Sequence, residues 1–222
     1  MTRFTLQGLL DALVLLAGLG VGMAVREYAR AWAAARAGDP TPRLWGRVTL
    51  APRSWFDPFG SGLVPGLIGV LWAANIPWIP AAYGKPAPVD PVALRTRAAV
   101  VRVSLAGPLA TLGLAVLVGV LVRLVDPTPA AGLFAPSGVG RSLRVLAFGW
   151  SGLTVFHLLP IPGLDGARIV GLLLPPRAAE VYRNADHYLA LFVLAVLFLF
   201  GSGILGGLTA AVCTNLAAGP CV

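Results

Sequence analysis

Charged residues are scarce in this chain, and that scarcity excludes an ordinary water-soluble domain. Only 12% of its 222 residues are charged, whereas 57% are hydrophobic and the mean hydropathy is +0.82. Soluble domains carry about 25% charged residues. The chain is also too short for two large domains. We therefore predict a single all-α membrane domain over residues 1–222 that crosses the cell membrane several times.

Acidic residues are fewer than basic ones, nine against seventeen, which leaves a net charge of +8 and a pI near 10.7. The basic residues are scattered through the loops between apolar segments and form no continuous basic stripe. This distribution argues against nucleic acid as a partner. It favours the anionic headgroups of membrane lipids as the counter-charge.

Cysteine is nearly absent, since the chain contains only Cys213 and Cys221. Both lie in the last ten residues, so they can form a disulfide only if that tail faces an oxidising compartment. At the other end, Asp11 interrupts the apolar stretch that a cleaved signal peptide would need. We expect residue 1 to remain in the mature protein.

Long apolar segments predict about five membrane crossings. The first helix is expected from about Leu6 to Ala37, ended by the GDPTP sequence at residues 38–42. The remaining expected segments are 62–83, 100–122, 143–159 and 188–218. Prolines and an asparagine interrupt residues 62–83, so this segment either crosses once or re-enters on the same side. Within residues 167–186, the sequence PPRAAEVYR at 175–183 is expected to form a helix at the membrane surface.

Two loop segments predict a small β-strand element. Residues 46–50, GRVTL, form a short β-like run, and residues 85–91, KPAPVDP, contain too many prolines for a helix. The second segment is expected to be extended, as an edge strand or a polyproline-like run. Arginines before and after the segment 62–83 favour the cytoplasmic side for both of its flanks.

Arg26, Glu27 and Arg30 lie at the end of an otherwise apolar helix that includes Leu9. Each charge at such a depth costs roughly 2.5 to 3.5 kcal/mol, so these residues need partners and usually have a function. Their spacing is that of H-E-x-x-H, in which two histidines bind zinc and the glutamate is the general base. A guanidinium has no lone pair for a metal, so arginine preserves the spacing without the zinc chemistry.

A second polar cluster follows the segment 143–159, in the sequence HLLPIPGLDGARI. Pro160 and Pro162 are expected to unwind the helix, which places the ionisable Asp165 where the backbone is broken at membrane depth. Broken backbone is tolerated there only where it lines a cavity or is buried in protein. A single histidine such as His157 is more often a satisfied core residue than a ligand.

The chain contains, in this order, the motifs REYARAW, GDPTPRLWGRVTL, DPFG, GKPAPVDP, AGPLAT and FHLLPIPGLDGARI. Taken together, these six motifs resemble the site-2 protease family of intramembrane zinc metalloproteases over about residues 22–177. The resemblance implies that Asp165 matches the third zinc ligand and Glu27 the general base. Arg26 and Arg30 stand at the two histidine positions, and His157 stands at the position of an asparagine that assists the reaction.

The AGPLAT and LPIPGLDG motifs extend the same resemblance. Thr111 stands where the family's GPxxN motif has its asparagine, which is a further departure at the active centre. Pro160 and Gly166 belong to the LPIPxLDG scaffold motif, which matches the family, while Gly107 and Pro108 are expected to permit close helix approach and a local kink. This combination of a retained scaffold and altered centre predicts a pseudoprotease.

The charges at the centre offer a reason why the fold tolerates the arginines. Zn²⁺ with ionised Glu27 and Asp165 sums to zero charge, and two guanidinium groups with the same carboxylates also sum to zero. We therefore expect Asp165 to accept hydrogen bonds from Arg26, Arg30 or both, in a bridge that ties the first helix to the LDG turn.

The first functional hypothesis is a non-catalytic module, with no cofactor, that binds a single-pass transmembrane protein or peptide segment. The predicted binding residues are Val48, Lys85, Pro86 and Pro88, which would present a strand edge to an extended partner. The second hypothesis is an active zinc protease with relocated ligands. Its ligands would be His157, Asp165 and Glu27.

A third functional hypothesis is a transporter or channel, because polar clusters beside broken helices also mark ion pathways. No inverted repeat, which many transporters contain, is visible in the sequence. Flux measured in liposomes would separate this class from the other two.

Overall fold

The structure, a computed structural model, describes residues 4–90, 93–125, 138–200 and 203–218. In these ranges the regular structure is helical, as the sequence predicts. The helices are α1 (Leu6–Arg36), α2 (Thr41–Leu44), α3 (Pro52–Trp55), α4 (Val64–Ala73), α5 (Arg97–Val125), α6 (Val139–His157), α7 (Asp165–Gly171), α8 (Pro176–Asn184), α9 (Leu189–Phe200) and α10 (Ile204–Val212). One π-helical turn, Pro58–Leu63, leads into α4, and another, Cys213–Ala218, follows α10.

The boundaries of α1 follow from its capping residues. The Thr5 hydroxyl accepts a hydrogen bond from the backbone N–H of Gly8 at 3.0 Å, which satisfies one of the free donors at the helix start. At the other end Gly38 adopts a φ of 101°, a conformation that favours glycine, and Pro40 follows. The helix Leu6–Arg36 therefore confirms the predicted first segment to within one residue.

Helices α1, α5 and α6 pack together at the centre, and small residues set how closely they approach. A Cβ atom at Gly22 would lie 2.8 Å from the Trp150 ring, so only glycine leaves room for the indole. The same indole donates a hydrogen bond to the carbonyl of Gly18 at 2.7 Å. Close helix contact of this kind is typical of membrane bundles.

The chain between residues 58 and 90 runs along α1 and returns. Helix α4 ends near the start of α1, where the Asn75 amide donates to the Thr5 hydroxyl at 3.0 Å. From there an extended segment leads back to the other half of α1. The N–H of Asp90 donates to the Asp39 carboxylate at 2.8 Å, just beyond the end of that helix. Both ends of this segment therefore lie on the same side of the bundle.

The predicted β-strand element is wrong for the residues that the structure describes. Residues 46–50 form turns and bends, and residues 84–90 are extended without pairing as a strand. Pro86 and Pro88 have no backbone N–H to offer a sheet, which explains why side chains bond this segment instead. The Arg47 guanidinium donates to the carbonyls of Lys85 and Pro86 at 3.0 and 2.9 Å.

Two of the helices, α1 and α5, are long and apolar enough to cross a membrane, which supports the predicted membrane protein. Helix α5 contains the predicted segment 100–122 and continues through Pro108. The helix expected at PPRAAEVYR, residues 175–183, is confirmed as α8, which begins at Pro176, a favourable first position for proline, and is separate from α7. Residues 126–137, between α5 and α6, lie outside the described ranges.

Candidate functional site

The two polar clusters found in the sequence come together inside the bundle. Helix α1 contributes Arg26, Glu27 and Arg30, while Asp165 is the first residue of α7 and His157 the last of α6. Each of these residues is at most 3% exposed. Charges at this depth must compensate one another, because the surroundings do not solvate them.

The bridge expected from the charge balance is confirmed. Arg26 donates through Nη2 to Asp165 Oδ2 at 2.6 Å, and its Nη1 contacts Glu27 Oε1. Arg30 Nη1 lies 3.6 Å from Asp165 Oδ1, as an ion pair. One guanidinium thus lies between the two carboxylates, and this arrangement ties α1 to the start of α7.

The extended segment 84–90 closes one side of the site. Glu27 Oε2 accepts a hydrogen bond from the N–H of Ala87 at 3.1 Å, and Arg30 Nη2 donates to the Ala87 carbonyl at 3.4 Å. Both Glu27 oxygens are therefore occupied. Of the predicted partner-binding residues, Lys85 and Pro86 are exposed, whereas Val48 and Pro88 are partly buried.

Gly107 on α5 allows the charged residues to approach the helix. A Cβ atom at this position would lie 2.9 Å from Arg26 Cγ and 3.2 Å from Asp165 Oδ2. The close approach that the sequence predicts at Gly107 is therefore present, since any larger residue would press on the ion pair.

Thr111, at the predicted asparagine position, joins α5 to α6. Its hydroxyl lies 2.8 Å from the hydroxyl of Thr154, and the carbonyls of Pro108 and Trp150 lie 2.9 Å from the hydroxyls of Thr111 and Thr154, respectively. Because each hydroxyl has one proton, one threonine donates to the other, and the second donates to its backbone carbonyl. The sequence did not single out Thr154, because a threonine within an apolar helix has no distinctive signal.

His157 keeps one ring nitrogen available. Its Nδ1 lies 2.9 Å from the Leu153 carbonyl, which can only accept, so the proton belongs on Nδ1. Nε2 then has a lone pair, and it is buried without a hydrogen-bond partner among the described residues.

The LPIPGLDG turn is held tightly. A Cβ atom at Gly166 would lie 2.2 Å from the Leu158 carbonyl oxygen, so glycine is required there. The Tyr182 hydroxyl on α8 donates to the carbonyl of Pro160, and burial raises the pKa of Tyr182. These contacts place Asp165 at the start of α7.

Arg168, one turn after Asp165 on α7, is a member of the site that the sequence interpretation missed. It lies within electrostatic reach of Arg30, Asp165 and Glu27. The signal was its i, i+3 spacing from Asp165, which places both side chains on one helix face.

The residues present do not fit a zinc ion. A catalytic zinc site has three protein ligands with free lone pairs and one open position. Here the Arg26 guanidinium occupies oxygen atoms of both Glu27 and Asp165, and Arg30 faces the second Asp165 oxygen. His157 Nε2 is left as a neutral nitrogen with a lone pair that could bind a metal. No catalytic step through a metal follows from this arrangement.

Comparisons with known proteins identify relatives along most of the chain. It is 34% identical over 183 residues to "Putative zinc metalloprotease YwhC" of Bacillus subtilis, covering 81% of this chain and 77% of that protein. It is 33% identical over 187 residues to "Putative zinc metalloprotease Rip2" of Mycobacterium tuberculosis, covering 84% of this chain and 66% of that protein. No protein-family profile and no solved structure matches the chain.

Proposed function

The chain belongs to the site-2 protease family, and from this premise we propose that it is a non-catalytic member that binds transmembrane segments without cutting them. The observation that supports this most directly is the position of Arg26. Its guanidinium lies between Glu27 and Asp165, the residues that the family resemblance assigns to water activation and metal binding.

The chemistry of arginine supports the loss of catalysis. The guanidinium stays protonated in proteins, so it neither binds a metal nor accepts a proton. Glu27 would need a free oxygen to act as a general base, but the Ala87 N–H and Arg26 engage both of its oxygens. Peptide hydrolysis at this centre would require those contacts to break.

The proposed membrane topology places α1, α5, α6 and the α9–α10 region across the bilayer. The segment 58–90 enters and returns on one side, and the arginines that follow α1 favour the cytoplasm for that side. In this arrangement the segment 62–83, one of the five crossings expected from the sequence, re-enters.

Cysteine labelling tests this topology. Single cysteines at Ser54 and Asp90, in a cysteine-free background, should both resist an impermeant thiol reagent applied outside intact cells. Labelling of either one alone would overturn the re-entrant path.

The proposed partner is a single-pass membrane protein or peptide segment. Lys85 and Pro86 are exposed, and Arg47 holds their carbonyls, so they present an ordered surface beside the buried centre. Photo-cross-linking from position 86 in membranes should recover an intact membrane protein. Recovery of a cleaved fragment would count against a non-catalytic role.

The decisive experiment compares metal content and proteolysis. The wild-type protein and the double variant R26H/R30H are purified in detergent and analysed for zinc by mass spectrometry. We expect stoichiometric zinc only in the variant, because histidine restores the lone pairs that arginine lacks. Chelator-sensitive peptide hydrolysis by the wild type, lost in Glu27→Gln, would refute the proposal.

An active zinc protease with relocated ligands is the second candidate, and one observation favours it. The lone pair of His157 Nε2 is buried without a partner among the described residues, and a nitrogen that binds a metal needs such a free lone pair. Arg26 would have to leave both carboxylates for His157, Asp165 and Glu27 to share an ion. Zinc in the wild type that is lost in His157→Ala would establish this candidate.

A further inference from the structure

A cavity beside the charged centre has a cationic lining. It has a volume of about 270 Å³ and lies between the start of α5, α7 and α8. Arg168 and Arg183 line it, and no acidic side chain that the structure describes does. Neither arginine forms an ion pair with a carboxylate in the part of the chain that the structure describes. The cavity therefore offers two guanidinium groups to an anion.

Ser104 adds a neutral donor to the same cavity. It is 1% exposed, it lines the cavity, and its hydroxyl has no hydrogen-bond partner among the described residues. A buried hydroxyl without a partner costs about 1 to 3 kcal/mol. A ligand with acceptor oxygens would remove that cost.

The charge balance of the centre points to an anionic ligand. Arg26, Arg30 and Arg168 are three cations, whereas Glu27 and Asp165 are two carboxylates, so one positive charge is in excess. Arg26 and Arg30 are buried and Arg168 is partly buried, so the excess charge is incompletely solvated and is costly unless a counter-charge lies nearby. Arg168, which belongs to both the charged centre and the cavity wall, is where an anion would supply it.

An apolar groove adjoins the cavity. Its volume is about 820 Å³, and Pro162 and Tyr182 line both spaces. The other walls include Leu159, Ile161, Val181, Phe192 and Val196. Of the lining residues that the structure describes, Arg177 is the charged one. An elongated molecule with a charged end and an apolar end would therefore fill the cavity and the groove together.

We propose that the cavity and groove bind one anionic phospholipid. Its phosphate accepts hydrogen bonds from Arg168, Arg183 and Ser104, and its acyl chain lies along the groove. The negative charge of an anionic phospholipid balances the excess positive charge, and guanidinium groups suit phosphate oxygens geometrically. An apolar transmembrane helix fits less well, because it brings no anion to Arg168. This site does not depend on whether the centre is catalytic.

The test measures thermal stability in detergent with added phosphatidylglycerol, phosphatidylcholine or inorganic phosphate. Phosphatidylglycerol should raise the melting temperature of the wild type, and inorganic phosphate should not, because it lacks the chain. Arg168→Gln should weaken phosphatidylglycerol binding roughly tenfold, the effect of losing one charge-assisted hydrogen bond. Equal protection by inorganic phosphate would overturn the lipid assignment.

Two further variants are a control for the headgroup variant and a test of the acyl chain. The control, Arg43→Gln, removes an exposed arginine that lines neither the cavity nor the groove, so its lipid binding should match the wild type. Ala178→Trp fills the groove and should also weaken binding, although Ala178 carries no charge. If the Ala178→Trp variant binds phosphatidylglycerol as tightly as the wild type does, the groove does not hold the acyl chain and the proposal fails.

A photo-cross-linking residue at position 178 provides a measurement in native membranes, independent of purified stability. Lipid adducts, identified by mass spectrometry, would support the proposal. Protein adducts in their place would show that a partner's transmembrane segment occupies the groove, and they would overturn it.

Discussion

Replacing Asp165 with alanine tests the buried bridge directly. Asp165 is fully buried and faces both Arg26 and Arg30, at 2.6 and 3.6 Å. Its loss leaves the centre with one carboxylate against three arginines. Breaking a buried ion pair by removing one partner typically costs about 3 to 5 kcal/mol. For a protein of this length, that corresponds to a fall in melting temperature of roughly 6 to 20 °C.

The assay is thermal unfolding of the detergent-purified protein, followed by intrinsic tryptophan fluorescence. Glu180→Ala is the matched control, because Glu180 is an exposed carboxylate that forms no ion pair among the described residues. It should change the melting temperature by less than about 2 °C, as surface substitutions usually do.

A double variant tests whether unbalanced charge causes the loss of stability in Asp165→Ala. If uncompensated cations destabilise Asp165→Ala, removing Arg26 as well should restore part of the stability, with a coupling of about 1 to 3 kcal/mol. The variant R26M/D165A serves this purpose, because methionine fills similar space without charge. An unchanged melting temperature in Asp165→Ala, or strictly additive losses in the double variant, would refute the reasoning.

Three further outcomes are expected from the same unfolding assay and from hydrogen exchange. Gly107→Ala should lower stability by about 1 to 3 kcal/mol, because its Cβ meets Arg26, whereas Gly113→Ala, which meets nothing within 4 Å, should be neutral or stabilising. Thr111→Val should cost about 1 kcal/mol, and a melting temperature equal to wild type would disprove the hydroxyl pair. Arg47→Gln should speed amide exchange in residues 84–90, and unchanged exchange would show that Arg47 does not hold them.

Much of the fold could be predicted from the sequence because its signals are local. The apolar run that begins at Leu9 predicts a membrane-length helix, and the glycine and prolines after Ala37 predict where it ends. The broken backbone at Pro160 is predicted by the missing N–H of proline. The bridge from Asp165 to Arg26, Arg30 or both was predicted in two steps, because the family resemblance put these positions at one centre and the charges there must balance.

The path of residues 76–90 could not be predicted, because its hydrogen bonds come from distant side chains. The sequence shows an extended, proline-rich segment and suggests a strand. In the structure, Glu27 binds the N–H of Ala87 and Arg47 binds the carbonyls of Lys85 and Pro86. Partners so far apart along the chain leave no periodic pattern.

The sequence by itself determined that this is a helical membrane protein with arginines at two positions where its family resemblance implies metal ligands. Only the tertiary structure decided how those charges are balanced. Arg26 and Arg30 are placed by helical spacing, but Arg168 joins them because the LPIPGLDG turn packs α7 against α5 and brings Asp165 into ion-pair distance of α1. The LPIPGLDG turn, the extended segment 84–90 and the cationic cavity all depend on packing between segments that are far apart in the sequence. Local sequence patterns do not predict such packing.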